Sequence, residues 1–452
     1  MSLLESASRV YGQLRGYNRL SIARQVDATL RRSPEEVRRR QLEDFRFHVR
    51  RSIERFPFYR NKLEQALGRL PGEKAEFIPA DLPVWTKQDQ RDLFATLNKD
   101  DFTGCFLHST GGSTGVPTQF FMTRESFEWR QAVTDRGYGY GGAEPGRRAF
   151  YIWSDPAKEP PFFNWLKCRI HQWIQNRVYF NCFFFNEERK HLCCQAINAR
   201  RPETIVSYAG KVAELALFVR DNPGLLKWRT KHIVTGAEGL QEGQRELIRE
   251  YLGGQVYMSY GSREFMLVGM ESRHQNGYHL SDDNLVVEVV DDDGRPVPAG
   301  ETGRICVSDL HNATNPFVRY EIGDLGIMAG DDEPCPDGLP FRRLLKVLGR
   351  NQEFVFTPDG ARLTAIYFAH NLKELPWVDA YQLVQKSKDH LVIRVISEAS
   401  LTDEMRAAAD KQLRPKLGDM RLDFEPVREL EKAANGKTPV VIFEMDKESV
   451  AS

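Results

Sequence analysis

The spacing of apolar residues changes along the chain, and each spacing predicts a different kind of element. In the first hundred residues it is helical, because four apolar residues recur every three or four positions in a charged stretch: Leu42, Phe45, Val49 and Ile53. This predicts an amphipathic helix with one face packed on a core. We therefore expect residues 1–100 to be a mostly helical lead-in to a larger domain.

From about residue 100 to about 345, short β-like runs alternate with helical ones. Among the β-like runs are "RAFYIW", "TIVSYA" and "NLVVEVV", and among the helical ones "KVAELALFVRD" and "EGQRELIREYLG". This alternation is typical of an α/β fold with partly parallel sheets. The last hundred residues place "HLVIRVIS" and "PVVIFEM" around the helical run "LTDEMRAAADKQLRPKLG", which predicts a small α+β unit.

Size and charge narrow the class of protein. A chain of 452 residues exceeds the size at which single cores stop growing, so at least two domains are expected. Lys plus Arg and Asp plus Glu each number 63, which argues against nucleic acid or an anionic membrane as the partner and favours a small molecule. No apolar run has the length of a signal core or a membrane span. We expect a cytoplasmic protein whose seven cysteines are free thiols.

The stretch "HSTGGSTGVPTQFF" is the first candidate for chemistry, since seven of the eight residues from Ser109 to Val116 are Ser, Thr or Gly. Bare backbone amides and hydroxyls can form a donor site for phosphate. No Lys-Ser/Thr pair follows, so it is not a Walker A loop. Two alternatives stay open, a flexible polar loop and a hydrolase nucleophile at Ser113, although Pro117 and the strand-like "TQFFMT" disfavour the helix that a nucleophile elbow requires.

Further motifs follow in an order that resembles one family. With "STGGSTGVPTQFFMT", they resemble the signatures of adenylate-forming (AMP-binding) enzymes, and they are "TGAEGL" at 235–240, "YGSRE" at 260–264, "RYEIGDLG" at 319–326, "LGRNQEF" at 348–354 and "ANGKTP" at 434–439. The neighbouring "LPVWTKQDQRDLF", "FPFYRNKL" and "NPFVRY" are similar to phenylacetate-CoA ligases and their CapK and coenzyme F390 synthetase relatives. The resemblance covers nearly the whole chain.

The resemblance implies a fold and a reaction. The fold is that of adenylate-forming enzymes, with an N-terminal AMP-binding domain at 1–348, a hinge at 349–352 and a mobile C-terminal lid domain at 353–452. The reaction is ATP- and Mg²⁺-dependent adenylation of an organic acid, with aryl and aryl-acetic acids favoured, followed by transfer to coenzyme A. A CapK-like transfer to an amine, hydroxyl or carrier thiol is the alternative. Homodimer formation is left open.

The resemblance also implies roles for individual residues. Glu264 would bind Mg²⁺, a cation usually held by one or two carboxylates plus substrate phosphates. Lys437 is the expected catalytic lysine, and Arg350 should lie at the hinge. The other ATP- or AMP-binding residues implied are Ser109, Thr110, Gly111, Gly112, Ser113, Thr114, Gly115, Gly236, Ala237, Glu238, Tyr260, Gly261 and Asp324.

Two positions depart from the family pattern. Arg263 stands where the family has Thr or Ser, and its guanidinium could clamp the same phosphate or carboxylate oxygens or could occupy the place of the acid. Gln352 replaces the usual hinge Asp, which puts the domain rotation in question. Both departures keep a further alternative open, a nucleotide-binding protein without catalysis.

Relatives in this branch hold a structural zinc through a Cys before a Gly-x-His and a later Cys-x-Cys-Gly. The matching stretches here are "ESRHQNGYH" and "EPCPDGLP", in which His279 and Cys335 remain while Ser272 and Asp337 replace two thiolates. Two soft ligands of four make a poor zinc site, so we do not expect structural zinc. A second group fits no zinc template, and its cysteines are expected to be buried free thiols among aromatic residues. Its members are Cys168, His171, Cys182, His191, Cys193 and Cys194.

Overall fold

The protein's structure is a computed structural model, and it divides the chain into two compact units. Residues 1–322 with 326–347 form the first unit, and residues 323–325 with 348–452 form the second. The residues that the structure describes are 19–72, 75–110, 118–153, 170, 172–173, 175–182, 185–240, 243–331, 333–350, 354–359, 362–364, 368, 371–372, 375, 377–378, 380–397, 400–431 and 439–445.

The described part of the first unit begins with helices. They are α1 (Arg19–Thr29), α2 (Pro34–Arg55), α3 (Pro57–Leu67) and α4 (Lys87–Thr96). The predicted amphipathic helix is confirmed as α2, which buries Phe45 and Val49 completely. Its start is fixed by Ser33, whose side chain accepts a hydrogen bond from the backbone N–H of Glu36, in front of a proline at the first helical position.

Strands and helices then alternate to about residue 255, as the sequence pattern predicts, but the described residues from 255 to 350 form seven consecutive strands with no helix between them, contrary to that pattern. Along the chain they are β1 (Phe106–Ser109), β2 (Gln119–Met122), α5 (Arg124–Tyr140), β3 (Ala149–Trp153), β4 (Arg177–Asn181), α6 (Glu187–Arg200), β5 (Thr204–Tyr208), α7 (Ala209–Asp221), β6 (His232–Gly236), α8 (Gln244–Leu252), β7 (Gln255–Ser262), β8 (Met266–Glu271), β9 (Tyr278–Leu280), β10 (Leu285–Val290), β11 (Thr302–Asp309), β12 (Tyr320–Met328) and β13 (Arg343–Arg350).

One large sheet organises these elements. Its 11 strands run in the order β10-β11-β12-β13-β9-β8-β7-β6-β5-β3-β4. The β4-β3-β5-β6-β7 portion is parallel, and the pairs β7-β8, β8-β9, β9-β13 and β10-β11 are antiparallel. Because β3, β5 and β6 carry apolar residues on both faces, the parallel portion is buried between helices. The carboxyl ends of its strands form the edge where α/β sheets bind ligands.

The second unit has its own core and sheet. A small antiparallel pair, β14 (Phe354–Phe356) with β15 (Arg362–Thr364), precedes four strands and a helix: β16 (Ala380–Ser387), β17 (His390–Ile396), α9 (Asp403–Leu417), β18 (Arg421–Pro426) and β19 (Val441–Phe443). The four-stranded sheet has the order β18-β17-β16-β19. Leu413 and Leu417 of α9 are buried in the same core as Ile393 of β17, which confirms the predicted α+β fold.

Candidate functional site

The predicted phosphate-binding stretch starts and ends on a closed antiparallel stem. Ser109 of β1 lies opposite Gln119 of β2. Beyond them, the backbone N–H of Thr110 donates to the carbonyl of Thr118 at 3.0 Å, and the N–H of Thr118 donates to Thr110 Oγ1 at 3.0 Å. These two bonds fix both ends of the intervening segment, while Gly111 to Gly115 lie outside the described residues.

A buried polar cluster, which the sequence did not predict, anchors β2 through hydrogen bonds to its backbone carbonyls. The carbonyl of Phe121 accepts hydrogen bonds from Thr314 Oγ1 at 2.7 Å and from Asn312 Nδ2 at 3.1 Å, as well as from Asn315 Nδ2. Gln90 Nε2 donates to Asn315 Oδ1 at 3.1 Å and to the carbonyl of Gln119 at 3.3 Å. The sequence feature that could have predicted this cluster is the set of polar residues next to an apolar run in "NATNPFV", since polar side chains that become buried need hydrogen-bond partners.

Arg263 joins the third motif to the phosphate-binding stretch. It follows β7 in the turn to β8, and its Nη1 donates to the carbonyl of Ser109 at 2.8 Å. Its side chain is exposed, and the other guanidinium N–H groups have no partner among the described residues. One donor therefore fixes the guanidinium beside the start of the stretch, and the others remain able to bind an anion.

Glu264, the residue after Arg263, is buried. Only 6% of the residue is exposed, and the hydroxyl of Tyr320 donates to its Oε1 at 3.3 Å. Burial, and next the charge of Glu264, raises the pKa of the Tyr320 hydroxyl, so this hydroxyl stays a donor at neutral pH. A surface glutamate at a helix cap, the alternative for a lone Glu at this place in the sequence, does not fit a residue buried in this way.

The shape of the β7–β8 turn depends on Gly261. A Cβ added to Gly261 would lie 1.8 Å from the carbonyl oxygen of Met266, closer than any real contact. The strand pairing shifts register between Tyr260 and Gly261, and Met266 has a φ of 58°. This irregularity bends the turn that carries Arg263 and Glu264.

The predicted nucleotide-binding residues Gly236, Ala237 and Glu238 lie at the carboxyl end of β6, next to β7. Gly236 ends β6, and a Cβ there would approach Ser259 Oγ to 2.6 Å. Ala237 follows with a φ of 65°, and Glu238 Oε2 accepts the N–H of Gly210 at 3.3 Å, in the first turn of α7. A carboxylate is favoured there because it caps free N–H groups at the helix start.

For the remaining predicted residues that lie in the described part, the structure gives a position in the fold. Asp324 is half-buried in β12, and Arg350 ends β13, the neighbouring strand of the sheet. Tyr260 is 9% exposed, with its ring 6.2 Å from that of Tyr278. The predicted residues that lie outside the described part are Gly111, Gly112, Ser113, Thr114, Gly115, Gln352 and Lys437.

Electrostatics at the stem favour an anion. His108 of β1 stacks on Phe120 with ring centroids 5.5 Å apart. Burial, together with the charges of Arg130 and Arg263, lowers the pKa of His108, so the imidazole is neutral at pH 7. Among the described residues, Arg263 is therefore the cation that contacts the start of the predicted phosphate-binding stretch, at the carbonyl of Ser109.

The cysteine group near β4 is a structural core. Cys182, Cys193 and Cys194 are free and buried with apolar residues of β3, β5 and α7, as expected from their aromatic surroundings. Burial raises the pKa of Cys182 and of Cys194 to about 11, which keeps both thiols protonated. Cys168 and His171 lie outside the described residues.

Comparison with known proteins agrees with this architecture. Residues 355–444 match the family model of the CapK C-terminal domain. The chain is 28% identical to a phenylacetate-coenzyme A ligase of Thermus thermophilus, over 71% of this chain and 72% of that protein. It is 21% identical to protein CapK of Staphylococcus aureus, over 89% of this chain and 87% of that protein.

Solved structures show the same fold. A 2-hydroxyisobutyryl-CoA ligase in the postadenylation state superposes with a TM-score of 0.69 at 21% identity, over 91% of this chain and 90% of that one. The chain therefore has the fold of adenylate-forming enzymes, residues 355–444 match the CapK C-terminal domain, and the relatives of the chain include phenylacetate-coenzyme A ligases and CapK.

Proposed function

We propose that the protein activates an organic acid as its acyl adenylate and transfers the acyl group to coenzyme A. In the first half-reaction a carboxylate oxygen attacks the α-phosphorus of ATP and pyrophosphate leaves; in the second the thiol attacks the acyl carbonyl and AMP leaves. The observation that carries the proposal is the contact of Arg263 Nη1 with the carbonyl of Ser109, which puts two separate family motifs in one place. Its relatives named as phenylacetate-coenzyme A ligases favour an aryl-acetic acid.

The triphosphate would lie along the stretch that starts at Ser109 and Thr110. Charge builds on phosphate oxygens during adenylation, so fixed donors that face them lower the barrier. Arg263 is suited to this task because one N–H is already held by Ser109 and the rest of the fork faces solvent. A guanidinium in place of the family's hydroxyl supplies a full charge at the point of attack.

Glu264 fits a Mg²⁺ ligand. One carboxylate held by a tyrosine hydroxyl, beside a phosphate-binding stretch, matches the usual environment of Mg²⁺, which takes one or two carboxylates and completes its shell with water and substrate phosphate. When bound, the cation would neutralise phosphate oxygens. The role of Tyr320 is to orient the carboxylate by donating to Oε1.

The other assignments complete the proposed site. Asp324 would accept hydrogen bonds from both ribose hydroxyls, since a carboxylate offers two acceptor oxygens. Tyr260 and residues 236–238 would surround adenine. Lys437 would stabilise charge at the α-phosphate from the lid domain, with rotation about Arg350 and Gln352 bringing it in and out of the site.

Product analysis tests both half-reactions. The protein is incubated with ATP and Mg²⁺ and a panel of aryl, aryl-acetic, fatty and amino acids, with and without coenzyme A, and AMP and acyl-CoA are quantified by mass spectrometry. We expect one acid class to give AMP and acyl-CoA in equal amounts. Absence of AMP with every acid would contradict adenylation.

The CapK-like alternative has its own support in the C-terminal domain match over 355–444. It predicts that AMP forms with an acid while coenzyme A is not consumed. Addition of an amine or hydroxyl acceptor would then accelerate AMP release. That outcome would overturn the coenzyme A transfer and leave adenylation intact.

A further inference from the structure

Cys335, His279 and Asp337 form a connected array outside the proposed ATP site. His279 lies on β9, and the two other residues lie in the loop between β12 and β13. Cys335 Sγ lies 3.5 Å from His279 Nδ1, and Asp337 Oδ2 lies 2.6 Å from His279 Nε2. The imidazole is therefore held between a thiol and a carboxylate, one on each ring nitrogen.

This arrangement does not fit the zinc site that relatives hold at these positions. A metal bound by His279 on the Cys335 side would lie at Nδ1, whereas Asp337 is bonded to Nε2 on the opposite side of the ring. Ser272, at the position of a lost thiolate, has its Oγ occupied by the N–H of Asn276 at 2.9 Å. The described residues thus offer one face with a thiol and a ring nitrogen, too few for a tetrahedral zinc.

The array stabilises charge separation between the thiol and the ring. Burial raises the pKa of the Cys335 thiol, but the hydrogen bond and charge of His279 and the N–H of Leu339, 3.3 Å from Sγ, outweigh it, and the pKa is lowered. Burial lowers the pKa of His279, but Cys335 and Asp337 outweigh it in turn, and the pKa is raised. Both directions favour a thiolate beside an imidazolium.

Groups from four elements surround the array. Asp337 also accepts the N–H of Arg273 at 3.0 Å and lies 3.4 Å from Nε2 of His274. The ring of Tyr140 on α5 packs edge-on against His279, with centroids 6.2 Å apart. The other charged groups close by are Arg136, whose partner is Asp283, and Arg343, whose partner is Glu333.

Cys335 differs from four of the other five described thiols. Cys182, Cys193, Cys194 and Cys306 are buried, and burial raises the pKa of each. Cys335 is only partly buried, as is Cys105. Accessibility and a partner imidazole that is itself oriented by a carboxylate are the features of an activated nucleophile.

We propose that Cys335, activated by His279 and Asp337, is a nucleophilic site that undergoes thiol–disulfide exchange with low-molecular-weight disulfides. The Cys335 thiolate attacks one sulfur of the disulfide, a Cys335–S–S–R bond forms, the original S–S bond breaks, and the second sulfur leaves as a thiolate. His279 can give its proton to that leaving thiolate. Excess thiol reverses the reaction.

The reaction is measured on the folded protein with 5,5′-dithiobis(2-nitrobenzoate), and glutathione disulfide followed by peptide mass spectrometry identifies the modified residue. An ordinary thiol is only a few per cent thiolate at pH 7. We expect one fast thiol per chain, assigned to Cys335, that reacts at least about fivefold faster at pH 7 than thiols of the urea-unfolded chain. Its rate should fall less steeply from pH 8 to pH 6 than the rate of an ordinary thiol, which loses roughly 75-fold.

Four variants make the assignment strict. Cys335→Ser should abolish the fast phase, and Cys105→Ser, which alters another partly buried thiol, should leave it unchanged. His279→Gln should restore an ordinary pH profile, and Asp337→Asn, which keeps the shape of the side chain, should slow the reaction. A fast phase that survives Cys335→Ser would overturn the proposal. So would unchanged kinetics in both folded His279 and Asp337 variants, or one tightly held zinc per chain in metal analysis.

Discussion

A buried ion pair between α5 and β11 gives the sharpest test of how the large unit is held together. Arg130 Nη2 lies 2.6 Å from Asp309 Oδ2, and both side chains are 0% exposed. Asp309 Oδ1 also accepts the N–H of His311 at 3.0 Å. Burial lowers the pKa of the neighbouring His48 to about 4, so that ring is neutral at pH 7 and Arg130 is the cation that balances Asp309.

Asp309→Asn removes the charge and keeps the shape, including an acceptor for His311. Arg130 would then be a buried cation without a counter-charge, and breaking such a pair costs about 3–5 kcal/mol of the free energy of unfolding. Arg130→Met should cost a similar amount by leaving Asp309 unpaired. The double variant Arg130→Met/Asp309→Asn should lose less than the sum of the two, because no unbalanced charge is left.

Urea unfolding followed by tryptophan fluorescence and circular dichroism measures these differences. Glu43→Gln is the control, since its pair with Arg39 at 3.2 Å is exposed and such pairs contribute about 0.2–1 kcal/mol. Burial would raise the pKa of Asp309, but the charge of Arg130 outweighs this effect and the pKa is lowered. The ionised Asp309 therefore stabilises the fold above its unfolded pKa of about 3.9, and this contribution is lost as the pH falls through its lower pKa in the folded protein. Additive costs, or a loss in Asp309→Asn no larger than in the control, would contradict a stabilising coupling between Arg130 and Asp309.

Three further predictions concern the site. Gly261→Ala should destabilise the protein by about 2–3 kcal/mol in thermal unfolding and lower kcat/KM in turnover assays, because the new Cβ would overlap the Met266 carbonyl. Gly72→Ala is the control, since a Cβ there has nothing within 4 Å, and it should change neither quantity. Asn315→Ala should cost about 1–3 kcal/mol in urea unfolding, because the carbonyl of Phe121 and the amide of Gln90 each lose a partner; a cost near zero would contradict the anchoring role. Lys437→Ala should cut adenylation severely and leave thioester formation from supplied acyl adenylate largely intact, and equal loss of both half-reactions would contradict the moving lid.

Much of the fold follows from local pattern. The runs around Ile205 and Val234 are apolar over the length of a strand, and the helical spacing in α7 and α9 persists over three turns or more, so elements of these types form wherever they pack. The spacing of apolar residues does not determine the order of strands in a sheet, because the neighbours of each strand are set by pairing between distant parts of the chain. The 11-stranded order therefore had to come from the structure.

The site divides in the same way. The order of the motifs predicted Glu264 and the phosphate-binding stretch as candidates. The sequence does not reveal that Arg263 contacts Ser109, because the two residues are 154 positions apart and meet only in the folded chain. The Asn315 and Gln90 anchors depend on polar groups that meet only after folding. For the same reason, the substitutions at Ser272 and Asp337 predicted a poor zinc site but not the array around His279.

Exchange of labelled pyrophosphate into ATP tests directly whether the protein adenylates an acid. The assay is run over the acid panel, with and without Mg²⁺, for the wild-type protein, Glu264→Gln and Arg263→Ala, with Arg295→Ala as an exposed-arginine control. We expect exchange that requires both Mg²⁺ and one acid class, and that falls about a hundredfold or more in the Glu264 and Arg263 variants but not in the control. No exchange with any acid, in folded protein that binds ATP, would contradict acid adenylation.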